Sequence, residues 1–289
     1  MEPPWSLRIV DEAPLTIVTM VRGEAWVLPD EGEPMLLRDG DVALMRGPDH
    51  YTMADDPATA PQVAILPGQV CKSLLDGSLL TDSWRLGVRS WGNAADGAAV
   101  MLVGTYQLDG EVSRRLLRAL PALIVMHEGE WDSPVVGLLC AEIVKDDPGQ
   151  EAVLDRLLDL LVITVLRDWF ARPDAPRWYR AYADPVVGRA LRLLHHNPAH
   201  PWTVEELARE CSVSRAALAR RFQELVGEPP IAFLTSWRIA LAADLLLEPG
   251  ATIGSVAEQV GYGTPFALST AFKRLRGVSP REHRAAAAA

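Results

Sequence analysis

Arg220 is the residue best equipped for specific chemistry in this 289-residue chain. Its guanidinium is a planar fork of N–H donors, and that fork matches the O6 and N7 acceptors of guanine in a duplex major groove. Ala216 and Ala219, just before it, offer only methyl groups, which suit a thymine methyl. Ser214, Arg215 and Arg221 suit phosphate contacts or solvated positions. About fifty residues on, Thr264, Pro265, Phe266, Ser269 and Thr270 form a second candidate surface, none with an arginine's reach. Lys273, Arg274, Arg276, Arg281 and Arg284 then supply cations for phosphates. The second set therefore positions more than it specifies. The competing reading of each arginine, Arg221 above all, is a solvated surface residue. For the second set it is a structural support that barely reads bases.

These side chains need short helices behind them, and the spacing predicts such helices. Asp184-Pro185 starts a helix ending near His196-Asn197-Pro198. Thr203-Val204-Glu205-Glu206 is a capping box for a helix over 205–210. Cys211-Ser212-Val213 is a tight connection, Ser214 caps a helix through Leu225, and Gly227 stops it. A short helix, a three-residue turn and a longer helix is the helix-turn-helix layout, whose second helix enters the groove. The layout recurs. Val256 to Val260 leads into Gly261-Tyr262-Gly263, and Thr264-Pro265 opens a helix through Leu275 that Gly277 stops. Ala208 matches Ala257 at an offset of 49, and Phe222 and Gly227 match Phe272 and Gly277 at 50, so one extra residue has entered the second turn. Between the copies, 230–247 reads as a long helix with Ile231, Leu234, Ile239, Leu241, Leu245 and Leu246 in its apolar set, able to hold the copies at a fixed spacing. Ser279-Pro280-Arg281-Glu282 opens a last helix with a capping box.

Residues 184–284 resemble the DNA-binding domain of the AraC/XylS family of bacterial transcription regulators. The resemblance is carried by WTVEELARECSVSRAALARRFQELVGEPPIAFLTSWRIALAADLLL and by VAEQVGYGTPFALSTAFKRLRGVSPREHR. It covers about 100 of the 289 residues, with two helix-turn-helix copies, linker helix and tail in order. The front half is similar, more weakly, to a cupin-type effector domain through GEAWVL, LRDGDVALM, RGPDHYT and LLRALPALI. The resemblance implies binding of double-stranded promoter DNA through both copies, contact with RNA polymerase, and control by a small-molecule effector. Members often carry arginine where this chain has Thr270 and a polar residue where it has Ala267.

The front half reads as short strands at 15–20, 25–28, 35–37, 42–45, 63–66 and 101–106, joined by Gly, Pro and Asp turns, which suggests a sandwich or small barrel. Helices follow: one after residue 111 with Val112, Leu116, Leu117 and Leu120, one from Ser133-Pro134 through Val144, and one over 151–170. The last has a wide apolar stripe that packs on the barrel or forms a homodimer interface. Residues 171–180, with Pro173 and Pro176, look like a linker. The fold class expected is α+β in two domains, a cupin-like effector and dimerisation domain over 1–175 and a helical DNA-binding domain over 176–289.

For an effector pocket the candidates are Trp26, Trp84 and Trp91 as aromatic walls, His50 as a core or pocket hydrogen-bonder, and Arg38 and Arg46 for an anion. Metal-dependent cupins resemble one another in a close His-x-His, a following Glu and a later His. Here Asp49-His50 has no second histidine nearby and His127 stands beside Glu128 and Glu130, so no metal and no cofactor are expected. His195 and His196 read as capping or surface residues. A metal cupin enzyme fused to a helical domain is the rival reading, and a redox-responsive regulator using Cys71, in a probable loop, is another.

Composition sets the outer limits. At 49% hydrophobic and 23% charged residues, global disorder is excluded as a description. The net charge of −10 hides an asymmetry. Residues 1–180 carry 16 basic and 28 acidic residues, a net of −12, whereas residues 181–289 carry 12 and 10, a net of +2. Nucleic acid is thus a partner for the back half alone. Three scattered cysteines without a C-x-x-C argue against a disulfide scaffold. The longest apolar run, near 157–166, contains Asp159 and is flanked by Asp155 and Arg167, too short and too charged for a bilayer. With no basic leader before an apolar run, a soluble cytoplasmic protein is expected.

Overall fold

The structure, a computed structural model, describes residues 1–87, 90–107, 110, 114, 117–129, 131, 133–145, 147–172 and 177–287. Val112 and Leu116 of the helix expected after residue 111, Glu130, and Pro173 and Pro176 of the expected linker lie outside them. The chain divides into two compact units, a front one of residues 1–108 and 117–169 and a back one of residues 109–116 and 170–289.

The front unit is built on two sheets. Strands β1 (Ser6–Ile9), β3 (Ala25–Pro29), β4 (Met35–Leu37), β6 (Tyr51–Ala54), β7 (Val63–Leu66) and β8 (Val70–Ser73) form one, in the order β4-β3-β6-β1-β7-β8. Strands β2 (Leu15–Arg22), β5 (Val42–Arg46), β9 (Val100–Tyr106) and β10 (Leu123–Met126) form the other, in the order β10-β5-β2-β9. Ladders are antiparallel except β1 with β7. Trp5, Leu7, Met20, Val27, Leu37, Met45 and Met53 fill the space between the sheets.

In β2, six successive residues from Leu15 to Met20 are buried. Val18 and Met20 face the other sheet. The opposite face is covered too, since a Cβ added to Gly104, the β9 partner of Ile17, would meet Leu158 of a helix at 3.3 Å. A sheet covered on both sides needs continuous apolar strands, hence the missing alternation. Leu158 belongs to α2 (Gln150–Ala171), which follows α1 (Pro134–Ile143). Leu154, Leu158, Leu161, Val162 and Val165 of α2 are buried, while Val153, Leu160 and Ile163 are exposed. The apolar stripe thus divides into a buried face and a face left to solvent. Buried Asp41 accepts hydrogen bonds from the amides of Arg38 (2.9 Å) and Glu128 (2.8 Å) and pairs with His127 Nδ1 at 3.0 Å. One carboxylate therefore fixes the tight turn before β5 and the end of β10.

The back unit is helical: α3 (Arg177–Ala183), α4 (Val187–His196), α5 (Val204–Glu210), α6 (Arg215–Val226), α7 (Pro230–Leu245), α8 (Ile253–Gln259), α9 (Pro265–Arg276) and α10 (Pro280–Ala287). The second half of the expected linker is therefore helix, because Ala181 packs into the first core. Two hydrophobic cores form. Leu191, Leu207, Leu218, Phe222, Phe233 and Leu234 belong to the first, and Ile239, Ala242, Leu246, Val256, Leu268 and Phe272 to the second. Helix α7 thus supplies its N-terminal part to one core and its C-terminal part to the other.

Both turns close alike. Val213 N donates to Ala208 O at 3.0 Å, and Tyr262 N to Ala257 O at 2.7 Å. The offset of 49 persists through this bond, so the extra residue of the second copy is Gly263. Ser212 and Gly261 occupy equivalent positions with φ of 57° and 81°. A left-handed conformation strains serine and suits glycine. Ser212→Gly is expected to stabilise the protein by about 0.5–1 kcal/mol. Gly261→Ala should instead destabilise it by more than about 1 kcal/mol, since its Cβ would stand 2.5 Å from Ala199 O. Urea midpoints of the two variants check both signs.

Candidate nucleic-acid interface

The recognition helices start from hydroxyl caps. Ser214 Oγ accepts from Ala217 N at 3.2 Å to open α6, and Thr264 Oγ1 accepts from Ala267 N at 3.1 Å to open α9. Gly227 and Gly277, at φ of 92° and 77°, end them. The helices before them start with Thr203, whose Oγ1 accepts from Glu206 N, and with Thr252, which forms a full capping box with Ser255. At the first of these the expected return bond is replaced, because the Glu206 carboxylate pairs with His200 Nε2 at 3.0 Å. The Thr252–Ser255 box escaped the sequence reading because serine at the third position stands in for Glu or Gln.

Leu218 and Phe222 are fully buried, which turns the opposite side of α6 outward. Ser214, Arg215, Ala216 and Arg220 are exposed and Ala219 is half-buried. Arg220 is 73% exposed and Glu224 comes no nearer than 4.0 Å to its Nε, so its fork is available. Arg215 pairs with Glu205 at 2.8 Å, both side chains being solvated, and a pair of this kind is weak. On α9, Thr264, Pro265, Phe266 and Thr270 are exposed, whereas Ser269 donates its hydroxyl to Pro265 O at 2.8 Å. Lys273, Arg274 and Arg281 are exposed cations at the end of this copy.

Four other arginines have structural partners. Arg221 Nη2 lies 2.6 Å from Asp184 Oδ2, so this exposed arginine, read as a phosphate contact or solvated group, has a partner within the fold. The same carboxylate caps α4 by accepting from Val186 N and Val187 N at 3.0 and 2.9 Å. Arg284 donates to Ala251 O at 2.9 Å, and Arg276 lies over the Phe272 ring, so both help hold the second copy together. Arg238, which the sequence reading missed, donates to the carbonyls of Pro198 (2.7 Å) and His200 (2.8 Å) and stands over Tyr262. Burial pulls its guanidinium below the ordinary value. His195 is no surface residue either: it pairs with the Tyr182 hydroxyl and packs among Phe233 and Trp237.

The expected effector-pocket residues do not converge. Trp26 is half-buried on the face of β3 opposite Ala25 and Val27, which point into the core, because side chains alternate along a strand. Arg38 is exposed and paired with Glu24 at 3.2 Å. Arg46 donates to Leu120 O at 2.8 Å and reaches Asp49, tying a loop. His50 is exposed in the loop between β5 and β6, a correction to its placement in the core. It borders a depression with Asp11, Glu12 and Tyr51 of about 10 Å³, room for a single water. Trp84 and Trp91 lie with ring centroids 5.0 Å apart and planes tilted by 38°, and both pack on the core between the sheets. Cys71 lies in β8 rather than in a loop, and burial pushes its thiol up, away from the reactive thiolate. Among the described residues, no group of three or more His, Cys, Asp or Glu is placed to hold a metal, and no helix is long and apolar enough to cross a membrane.

Comparison with known proteins covers both units. Residues 1–171 match a family described as cupin, and residues 207–286 one described as helix-turn-helix domain. An AraC-like transcription regulator of Streptomyces antibioticus is 34% identical over 285 residues, 96% of this chain and 89% of the relative. The HTH-type transcriptional regulator AlkR of Acinetobacter baylyi is 30% identical over 287 residues, 97% and 90% of the two chains. Among solved structures, the C-terminal domain of AraT, a response regulator from Geobacillus stearothermophilus, is 36% identical, with a TM-score of 0.35, over 36% of this chain and 86% of that one.

The Arg221–Asp184 pair gives a pH-dependent test. Burial would raise the Asp184 carboxyl, but the bonds from Val187, Arg221 and Val186 outweigh it and hold the group below its ordinary value. A depressed folded value means that the contribution is complete above the unfolded carboxylate value and is lost as pH falls through the folded one. Arg221→Ala is expected to lower stability by about 1 kcal/mol at pH 7, the scale of a half-exposed pair. The difference from wild type should shrink below about pH 4, as urea unfolding at both pH values would reveal.

Proposed function

The chain belongs to the AraC-like transcription regulators, a family of DNA-binding proteins, and on that premise we propose which residues read DNA and how the front unit takes part. In this reading Arg220 contacts a guanine, and Ala216 and Ala219 lie against neighbouring base edges. Pro265, Phe266, Ser269 and Thr270 face bases in the second copy. Ser214, Arg215, Thr264, Lys273, Arg274 and Arg281 hold phosphates. The observation that carries the reading is a duplicated helix-turn-helix with Arg220 exposed on the first recognition helix while Arg221, Arg238 and Arg284 are engaged within the fold. The DNA is duplex promoter DNA in the cytoplasm, with RNA polymerase as the protein partner.

For the front unit, residues 1–175, we propose regulation rather than catalysis: a small molecule binds without metal and shifts DNA binding by preferring one state. The cupin match supports this, as does the Trp84–Trp91 pair over the core. The space between the sheets being filled, the place for a ligand is the Trp84–Trp91 end rather than the interior. The exposed face of α2 is the proposed homodimer seam.

Selection from random duplexes is expected to yield one reproducible site, and equal binding to scrambled DNA at every salt concentration would defeat the reading. Arg220→Ala should erase preference at one base pair, about 1–3 kcal/mol of discrimination. Arg281→Ala should weaken all sequences alike and reduce the salt slope by about 1. For the seam, sedimentation of the full chain should give a dimer that Leu160→Glu with Ile163→Glu converts to monomer; a wild-type monomer removes the dimer.

A further inference from the structure

Helices α6 and α9 both have 12 residues and run at a constant offset of 50, so every position in one has a counterpart in the other. The second and sixth positions, one turn apart on a shared face, are Ala216 and Arg220 in the first copy and Phe266 and Thr270 in the second. Long and short reach are therefore exchanged between the copies. Phe266 is 81% exposed, whereas Phe170, Phe222, Phe233 and Phe272 are all buried. Folding does not account for a phenyl ring left in water. Its neighbours add no polar reach: Pro265 has no N–H, Ala267 has only a methyl, and the hydroxyl of Ser269 is turned back to Pro265 O. The first turn of α9 is thus an apolar tip on a helix that carries the cations Lys273 and Arg274 further along.

In a major groove, the apolar feature of a base pair is the 5-methyl group of thymine. We propose that Phe266 is a specificity residue that packs on a thymine methyl, so that the second copy selects a T·A pair by apolar contact while the first selects guanine through Arg220. The assignment rests on the DNA-reading function above and makes the operator chemically asymmetric. The basic surface of the same helix and the occupancy of the equivalent first-copy position by groove-facing Ala216 favour DNA over a protein partner for this ring.

The test uses the full chain and its selected duplex, with thymines replaced one at a time by uracil, which removes the methyl and leaves the pairing edges intact. One uracil in the second half of the site is expected to lower wild-type affinity about 3- to 10-fold, the scale of one buried methyl group. The same uracil should leave Phe266→Ala binding unchanged. Phe266→Ala should lose preference at that pair and keep the guanine preference that Arg220→Ala abolishes. Equal uracil sensitivity in Phe266→Ala and wild type overturns the proposal, with the guanine preference still standing for the wider reading. Absence of any sequence preference in wild type overturns both.

Discussion

The reading surface depends on how α7 is shared between two cores. Phe233 and Leu234 are buried with the first helix-turn-helix, and Ile239, Ala242, Ala243 and Leu246 with the second. Neither copy can rotate about α7 without exposing apolar side chains, at roughly 1.5–3 kcal/mol for each large one. At the middle of the helix Arg238 binds the carbonyls of Pro198 and His200, which belong to the first copy's loop, and covers Tyr262 of the second copy's turn. Gly261 lets that turn approach Ala199 closely. An arginine with several fixed donors suits this junction, because lysine has no planar fork with which to hold two carbonyls at once.

The same economy of arginines shapes the electrostatics. The back unit is close to neutral, so its attraction to a polyanion cannot come from net charge. Placement matters instead: Arg221, Arg238, Arg276 and Arg284 are engaged by partners within the fold, whereas Arg220, Lys273, Arg274 and Arg281 are exposed. The front half is acidic, net −12 over residues 1–180, a charge that disfavours phosphate contact there.

In the front unit the deciding constraint is the four-stranded sheet covered on both faces. Six buried residues in a row in β2 and four in β5 require a second layer, and α2 contributes to it through Leu158, which stands beside Gly104 of β9. A helix covers a sheet with only part of its circumference, so Val153, Leu160 and Ile163 are left outside.

The sequence by itself determined what depends on near neighbours. Caps at Ser214 and Thr264, stops at Gly227 and Gly277, the repeat at offsets of 49 and 50, and the strands bounded by Gly, Pro and Asp turns were all legible. Each is set by interactions within a few residues or by comparison of the chain with itself. Strands β1, β6 and β10 were not legible, being set by partners tens of residues away, as with Leu7 against Met53 and Val63, and neither was β8, which pairs with neighbouring β7. Nor could sequence sort the arginines or point Trp26 and His50. Arg221 differs from Arg220 only by one step around a helix, yet that step carries it to Asp184, 37 residues distant. Those outcomes belong to tertiary structure, because the energy of a polar side chain is decided by which distant carboxylate, carbonyl or ring the fold brings within about 3 Å of it.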